Sequence, residues 1–338
     1  MDNIAPNPQG EYIVGVDLGG TNVRAGLLDR DGHVLADARA PALGMEGPPA
    51  TLGQIIKVIA EAMDQGGAQP RQVAGIGMGI PGRHRSEEGI TIFSPNLAGW
   101  VNVQVTRPIS EHFGLATYML NDVKTATLGE HRFGAGRGKR HVVMITLGTG
   151  IGGGVISDGE IRLGSGEGFS EVGHHIVDLN GPQCTCGSRG CWEAMAGRDA
   201  IIRRAVFKLQ DGRPSLIGDR TGYDLSQITP ALIDQAARDG DAVAREVWEE
   251  TGTIVGVGLS NLIQLYNPEV VVVGGGIAQA GELILEPARR VVQSRARMVP
   301  AETAQIVPAA LGEDAGIVGA SVLVMLHLEG RPPGGKAT

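Results

Sequence analysis

The sequence predicts an α/β protein, and three observations support this fold class. Short apolar runs typical of strands alternate along the chain with segments that have the 3.6-residue period of helices. The run EVVVVGGG at Glu269–Gly276 is typical of a fully buried strand in a parallel sheet. The segments VGVDLGGTNVRAG (Val14–Gly26) and VMITLGTGIGGGV (Val143–Val155) align without gaps as strand, glycine-rich turn and strand, which suggests an internal duplication.

The first half of the chain is predicted to form a hairpin meander followed by alternating helices and strands. Asp31 and Gly32 form a strong hairpin signal between two apolar runs. The next segment has apolar residues on one helical face, and the run after it ends at Pro81 and Gly82. The predicted elements are strands in YIVGVDLG, NVRAGLLD and HVLADARA between Tyr12 and about Arg39, a helix at about Pro49–Gln65, a strand at Val73–Ile80, a helix at about Arg107–Phe113, a strand at Ala116–Leu120 and a helix from about Val123.

The second half repeats the pattern with longer helices. Its first predicted element is the strand, turn and strand of the duplicated segment. The remaining elements are helices at Arg198–Leu209, Pro230–Arg238 and Asp241–Leu265, the buried strand at Glu269–Gly276, a helix at about Glu282–Ala296, a short strand near Gln305–Val307 and a closing helix near Asp314–Leu328.

Composition and charge exclude several classes of function. The net charge of −8 and the absence of a long basic run argue against nucleic acid as a partner. No uninterrupted apolar stretch reaches the roughly 18 residues of a membrane span, and the polar N-terminus does not resemble a signal peptide. Three cysteines imply no disulfide framework, so we expect a cytoplasmic protein with reduced thiols.

All three cysteines of the chain lie in GPQCTCGSRGCWE, at Cys184, Cys186 and Cys191. Three thiols so close together predict a structural zinc site, which needs a fourth ligand. His174 and His175 both stand at a suitable distance upstream, and the local spacing does not choose between them. The competing interpretation is three unrelated thiols in a glycine-rich loop, which the polar, turn-rich setting disfavours.

Three glycine-rich stretches are candidates for binding phosphate or nucleotide. DLGGTNVR begins at Asp17, LGTGIGGG at Leu147, and a run of three glycines occupies Gly274–Gly276. Backbone N–H groups approach an anion closely where no Cβ intervenes, although a tight hairpin also requires glycine. The chain has no GxxxxGK[ST] motif and no dinucleotide-binding GxGxxG after its first strand, so the P-loop and Rossmann classes are disfavoured.

Asp122 follows Asn121 where a strand ends and a helix begins. The local sequence favours Asp122 as a helix N-cap. The alternative is a catalytic carboxylate, because ligand clefts open at the carboxyl ends of strands in α/β sheets. Asn96, Glu171 and Glu193 also lie near predicted turns, where they are either solvated loop residues or hydrogen-bonding partners of sugar hydroxyls.

Together these motifs resemble the ROK family, which groups repressors, open reading frames and sugar kinases. The resemblance covers about residues 12–325 and is strongest to the bacterial glucokinases of that family. Its most specific part is EVGHHIVDLNGPQCTCGSRGCWE, and the other matching segments are DLGGTNVR, GMGIPG, SPNLAGW, NDVKTATLGE and LGTGIGGG. The resemblance implies the actin-like ATPase (ribonuclease H-like) fold, an α/β fold with two domains flanking a cleft. We place the small domain at 1–121 plus about 312–338 and the large domain at 122–311.

The resemblance also implies a role for each matching residue. It makes Asp122 the general base and selects His174 as the fourth zinc ligand, with Cys184, Cys186 and Cys191. The implied sugar-binding residues are Asn96, Asn121, Asp122, Glu171, His174 and Glu193. The implied nucleotide-binding residues are Asp17, Gly19, Gly20, Thr21, Gly148, Thr149, Gly150, Gly152, Gly274, Gly275 and Gly276.

The activity that the resemblance implies is Mg²⁺-dependent transfer of a phosphoryl group from ATP to the 6-hydroxyl of glucose. Glucose and ATP are then the substrates, zinc is structural, and a homodimer is expected. N-acetylglucosamine, N-acetylmannosamine, mannose and fructose stay open as alternative sugars. A sugar-sensing protein without catalysis is a further alternative, although the short segment before the first strand leaves no room for a DNA-binding domain in this sequence.

Overall fold

The computed structural model describes residues 4–299 and 304–334. Its strands, in chain order, are β1 (Tyr12–Leu18), β2 (Asn22–Leu28), β3 (Val34–Pro41), β4 (Val73–Ile80), β5 (Arg83–Arg85), β6 (Ile90–Phe93), β7 (Val101–Gln104), β8 (Thr117–Asn121), β9 (Val142–Leu147), β10 (Ile151–Ser157), β11 (Glu160–Ile161), β12 (Val270–Gly274) and β13 (Gln305–Pro308). Its α-helices are α1 (Pro48–Gln65), α2 (Thr106–Phe113), α3 (Asp122–Arg132), α4 (Trp192–Ala196), α5 (Arg198–Gln210), α6 (Leu216–Thr221), α7 (Pro230–Arg238), α8 (Ala242–Tyr266), α9 (Glu282–Arg295) and α10 (Ala315–Leu328).

The strands form two five-stranded sheets of the same topology and one three-stranded sheet. The first large sheet has the order β3-β2-β1-β4-β8, and the second has the order β11-β10-β9-β12-β13. In the first sheet β2 is antiparallel to β1, whereas β4 and β8 run parallel. In the second sheet β9, β12 and β13 run parallel. The two sheets therefore repeat one arrangement of five strands, in agreement with the duplication that the aligned segments suggest.

The contacts divide the chain into two compact units. The first unit contains the residues up to Arg140, the segment Gly154–Ser170 and the residues from Ala310 on. The second contains His141–Gly153 and Glu171–Ala309. This division differs from the boundary expected at residue 121, because α3 packs against α10 and is grouped with the first unit.

The core of the first unit depends on a close approach between α10 and the sheet. Helix α10 is apolar on all sides and is buried from Ala315 to Met325. It crosses β1 and β4 at Gly15 and Gly77, which are direct neighbours in the sheet. A Cβ on either glycine would overlap the main chain of α10, at Ile317 for Gly15 and at Ala320 for Gly77. These two glycines therefore set the distance at which the helix packs.

The predicted helices and strands agree with the structure to within a few residues at most. The three-stranded sheet of β5, β6 and β7 was not predicted, and neither were α4 and α6. The proline- and glycine-rich tail GRPPGGKAT at 330–338 predicts a disordered segment, and its residues 335–338 lie outside the described residues. Across residues 4–299 and 304–334, no helix combines the length and the apolar character needed to span a bilayer.

Candidate functional site

The carboxyl ends of β1, β4 and β8 form the framework of the site in the first unit. The three strands are parallel neighbours, with Asp17 opposite Gly79 and Ile80 opposite Asn121. Parallel strands end at the same edge of their sheet, so Asp17 and the Asn121–Asp122 pair lie at that edge. A Cβ on Gly79 would lie 3.4 Å from the Asp122 Cα, which shows how closely the start of α3 packs on β4.

Asn121, and not Asp122, is the N-cap of α3. The Asn121 Oδ1 atom accepts hydrogen bonds from the Val123 N–H at 3.1 Å and from the Lys124 N–H at 3.2 Å. Its Nδ2 group donates to the Gly82 carbonyl at 3.3 Å. The N-cap role that the local sequence favours for Asp122 is therefore wrong. Asp122 is the first residue of the helix, and its Oδ1 accepts a hydrogen bond from the Val123 N–H at 2.9 Å.

Asp17 has an unusual electrostatic environment. Burial of its carboxyl group, followed by the negative charge of Asp122, raises the pKa of Asp17 from 3.8 to about 6. Arg24 and Arg39 act in the opposite direction, with smaller effects on this pKa. The Asp17 side chain also lies against Gly316 in the first turn of α10, where a Cβ would overlap the carboxylate. Two carboxylates that influence each other at the end of a sheet are a common feature of a reactive or cation-binding centre.

Two buried residues near this edge were not singled out from the sequence. Lys124 lies in the first turn of α3 and is 2% exposed. His84 is also 2% exposed, with its ring hydrogen-bonded to the Ile80 carbonyl at 2.9 Å and to the Thr91 hydroxyl at 3.2 Å. Burial and then the nearby Lys124 ammonium lower the pKa of His84 to about 4, so its ring is neutral at physiological pH. The one signal in the sequence that could have found either residue is the position of Lys124, two residues after Asp122.

Asn96 and the first glycine loop lie together in the first unit. The loop between β1 and β2 is closed by a hydrogen bond from the Gly19 N–H to the Asn22 carbonyl at 2.9 Å. A Cβ on Gly20 would lie 3.6 Å from the Asn96 Cβ. The side chain of Asn96 is exposed beside this loop, so the structure brings Asn96 and Gly20 together as neighbours.

The second glycine loop and the Gly274–Gly276 run are neighbours in the second unit. The loop joins β9 to β10, and a hydrogen bond from the Gly148 N–H to the Gly150 carbonyl at 2.9 Å tightens it. Strand β12 pairs with β9 so that Gly274 is opposite Thr146. Gly275 has a φ of +88°, and a Cβ there would lie 2.8 Å from the Leu147 nitrogen. Only a glycine gives this combination of left-handed backbone and close approach.

The cysteine cluster has the geometry of a four-coordinate metal site. One ligand atom from each of His174, Cys184, Cys186 and Cys191 lies within 4.8 Å of all the others. The Cys184 Sγ is 3.7 Å from the His174 Nδ1, and the Cys186 Sγ is 3.7 Å from the Cys191 Sγ. In a tetrahedral zinc site with Zn–S bonds of about 2.3 Å, neighbouring sulfurs are about 3.8 Å apart. A disulfide would need a sulfur separation of about 2.05 Å, so these distances fit thiol ligands around one ion.

Backbone hydrogen bonds hold the cysteine loop against the segment that carries His174. The Trp192 N–H donates to the His175 carbonyl at 2.9 Å, and the Val177 N–H donates to the Gly190 carbonyl at 2.9 Å. The His174 Nδ1 faces the Cys184 Sγ, whereas the Nδ1 of His175 is hydrogen-bonded to the Val172 carbonyl. The structure therefore places His174 with the sulfurs, as the resemblance implies, and gives His175 a local structural contact.

Glu193 lies between the cysteine cluster and the second glycine loop. Its Oε2 accepts a hydrogen bond from the Ile151 N–H at 3.1 Å. Its Oε1 is 3.9 Å from the Cys184 Sγ. Glu171 is exposed at the start of the short turn that carries His174. The second unit thus places His174 in the cluster and Glu193 beside it, with Glu171 at the start of the turn that carries His174.

Comparison with known proteins assigns the chain to a family. The pattern of the ROK family matches residues 13–326. The chain belongs to the ROK family. A glucokinase of Thermotoga maritima is 37% identical over 318 residues, which are 94% of this chain and 98% of that protein. A xylose repressor of Caldicellulosiruptor bescii is 29% identical and matches 93% of this chain but only 78% of its own length.

A solved structure of the same family supports the fold. It is the ROK family glucokinase of Streptomyces griseus, crystallised in complex with glucose and AMPPNP. It has 32% sequence identity and a TM-score of 0.81, and the match covers 92% of this chain and 98% of that chain. The ROK sugar kinases have the two-domain actin-like ATPase fold, which confirms the predicted fold class.

Proposed function

We propose that this protein is an ATP-dependent hexokinase that phosphorylates the 6-hydroxyl of glucose, giving glucose 6-phosphate and ADP. The observation that carries the proposal is the position of Asp122, at the end of β8 and close enough to Asp17 to raise the pKa of that carboxyl group. Identities of 37% to a glucokinase and 32% to a ROK family glucokinase support the choice of reaction and sugar.

In the proposed reaction the sugar O6 attacks the γ-phosphorus. An O6–P bond forms, the bond from the γ-phosphorus to the β–γ bridging oxygen breaks, and ADP leaves. Asp122 accepts the proton of the attacking hydroxyl. Because phosphoryl transfer needs little covalent assistance, most of the catalysis comes from positioning and charge neutralisation.

Glycine-rich backbone would hold the nucleotide. N–H groups of the Asp17–Thr21 and Gly148–Gly152 loops would bind phosphate oxygens. Gly274–Gly276 would lie against the adenosine, since this run follows a buried strand at the end of its sheet. Mg²⁺, which arrives with ATP, supplies charge neutralisation of the phosphates.

The sugar hydroxyls would be bound by carboxylates, amides and an imidazole, which match their donors and acceptors. The proposed residues are Asn96, Asn121 and Asp122 in the first unit and Glu171, His174 and Glu193 in the second. Asn121 already uses its amide to cap α3, so any contact with the sugar would be made in addition to that role.

Zinc would be bound by His174, Cys184, Cys186 and Cys191, whose donor set and distances fit a closed tetrahedral site. When bound, the ion supplies structural cross-linking and no step of the reaction. The four ligands would hold the segment from Glu171 to His174 in one conformation. The proposed sugar contacts of Glu171 and His174 depend on that conformation.

A coupled ADP-release assay with ATP, Mg²⁺ and a panel of hexoses tests the proposal. We expect a strong preference for glucose, with glucose 6-phosphate as the product and Asp122→Asn as the inactive control. Preference for an N-acetylated sugar, mannose or fructose would keep the mechanism and correct the substrate. A folded, zinc-loaded protein without turnover on any sugar would contradict the enzyme assignment and favour a sugar sensor.

We also propose that the protein is a homodimer. Light scattering, which gives the molar mass in solution, tests this proposal.

A further inference from the structure

Helix α4 connects the cysteine cluster to the second glycine loop by direct contacts. Cys191 immediately precedes the helix as its N-cap residue. Just beyond its other end, the N–H of Arg198, the first residue of α5, donates to the Gly148 carbonyl at 3.0 Å. Between these ends, Glu193 accepts the hydrogen bond from the Ile151 N–H. The loop is therefore held on one side by main chain at Gly148 and on the other by the Glu193 carboxylate.

The helix that carries Glu193 is firmly anchored. Trp192 is fully buried, and its indole N–H donates to the Ile254 carbonyl in α8 at 3.1 Å. The indole ring lies so close to α8 that a Cβ on Gly258 would overlap it. A side chain on an anchored helix fixes its hydrogen-bonding partner more precisely than one on a free loop.

The loop sequence is adapted to the Glu193 side chain. A Cβ on Gly150 would overlap the carboxylate of Glu193, so that any larger residue there would displace it. The hydrogen bond to Ile151 uses the Oε2 atom, and the Oε1 atom lies on the side of Cys184 and the zinc ligands. One carboxylate thus has one oxygen on the loop and the other 3.9 Å from the Cys184 Sγ.

We propose that Glu193 is a positioning residue for the nucleotide as well as a sugar-binding residue. By accepting the Ile151 N–H it holds the Gly148–Gly152 loop in the conformation that binds phosphate. This inference rests on the proposed function, because it assumes that this loop binds ATP. A hydrogen bond to a charged acceptor is typically stronger than a neutral one, so its loss has a measurable effect on the loop.

The test measures nucleotide binding in the absence of sugar. Calorimetry gives the Kd of AMPPNP with Mg²⁺ for the wild type, Glu193→Ala and Glu193→Gln. We expect Glu193→Ala to weaken binding about tenfold, as for the loss of one charge-assisted hydrogen bond. Glu193→Gln should recover most of the affinity, because its amide oxygen accepts the same Ile151 N–H. Glu249→Ala is the matched control, since it removes an exposed carboxylate from α8 in the same unit.

A residue that contacts only the sugar would not change this sugar-free Kd. Wild-type affinity in folded Glu193→Ala would therefore overturn the inference. If Glu193→Ala does not fold, Glu193→Asp replaces it, because aspartate keeps the charge but is one methylene too short to reach Ile151. Wild-type affinity in Glu193→Asp would then overturn the inference in the same way.

Amide hydrogen exchange without any ligand separates this inference from the proposed function. We expect at least tenfold faster exchange within residues 148–152 in Glu193→Ala, and near wild-type exchange in Glu193→Gln. If the wild type binds no AMPPNP, the proposed function fails, but faster exchange still supports the loop contact. Unchanged exchange overturns the role of Glu193 whether or not the nucleotide binds.

Discussion

The two units hold their candidate residues in place by different means. In the first unit, Asp17, Asn121 and Asp122 lie at the ends of regular elements, where strand register and a helix cap fix their positions. In the second, His174 lies on a short turn among three cysteines, and Glu193 lies on the five-residue helix α4 that follows Cys191. The first arrangement places charged groups where they are partly desolvated, and in the second the proposed zinc ion would order the backbone around the cysteines. Loss of charge should therefore affect the first unit most, and loss of metal the second.

The largest expected effect follows from removing the charge of Asp122. Asp122→Asn keeps the size of the side chain but cannot accept the proton of the attacking hydroxyl. We expect kcat to fall by about 10²–10⁴-fold, the usual contribution of a general base, with the glucose KM changed only a few-fold. Steady-state kinetics with glucose and ATP measure both constants. Turnover within a few-fold of the wild type would rule out Asp122 as the base.

The second effect is loss of the proposed zinc ion from the second unit. Cys184→Ala removes one of the four ligands, so we expect loss of zinc and an increase in the glucose KM of about tenfold or more, with a smaller change in kcat. Elemental analysis gives the zinc content, and the kinetics give the split between KM and kcat. Wild-type protein treated with a chelator and reloaded with zinc is the control. A metal-free Cys184→Ala protein with an unchanged KM would contradict the structural role.

The third effect concerns the packing under the first unit's strand ends. In Gly77→Ala the new Cβ would overlap the Ala320 carbonyl, so α10 must shift away from β4. We expect a loss of about 3 kcal/mol in the free energy of unfolding, the upper range for overpacking. Gly53→Ala is the matched control, because Gly53 lies inside α1 with open space around it and should gain up to about 1 kcal/mol. Urea denaturation compares the two, and equal stabilities would show that the close approach is not required.

The sequence predicts regular elements well and contacts between distant residues poorly. The apolar run at Val73–Ile80 and the periodic helix at Asp241–Leu265 match β4 and α8 closely. The three-stranded sheet escapes prediction because its strands have only three or four residues each and lie among polar turns. Helix α4 escapes because its five residues lie between a cysteine and a glycine.

The candidate site shows the same limit. The three cysteines predict a metal site because they are close in sequence. The prediction of His174 over His175 as the fourth ligand depends on the family resemblance alone. The local sequence favours Asp122 as the cap of α3, one residue after the actual cap Asn121, because Asn and Asp are both good caps. The hydrogen bond from Ile151 to Glu193 joins residues 42 positions apart, and no local pattern indicates it.

The last expected effect is a change in the stability of the first unit that develops only as the pH rises. The folded pKa of Asp17 is about 6 and the unfolded value is 3.8, so between these values the folded state holds a proton that the unfolded chain has lost. Stability from this group therefore falls as the pH rises from about 4 to 6. Asp17→Asn has no such loss, and its gain over the wild type should be near zero below pH 4 and reach about 3 kcal/mol at pH 7, since the shift is about two pKa units at about 1.4 kcal/mol each.

Urea denaturation of both proteins from pH 4 to pH 7 measures this difference. Asp37→Asn is the control, because it removes the half-exposed carboxylate that pairs with Arg24 at 2.8 Å. It should lower stability at pH 7 by less than about 1 kcal/mol, as for other surface ion pairs, and so act in the opposite direction. If the gain in stability from Asp17→Asn were the same at pH 4 and at pH 7, the pKa of Asp17 would not be raised. The desolvated environment expected at the strand ends of the first unit would then be wrong.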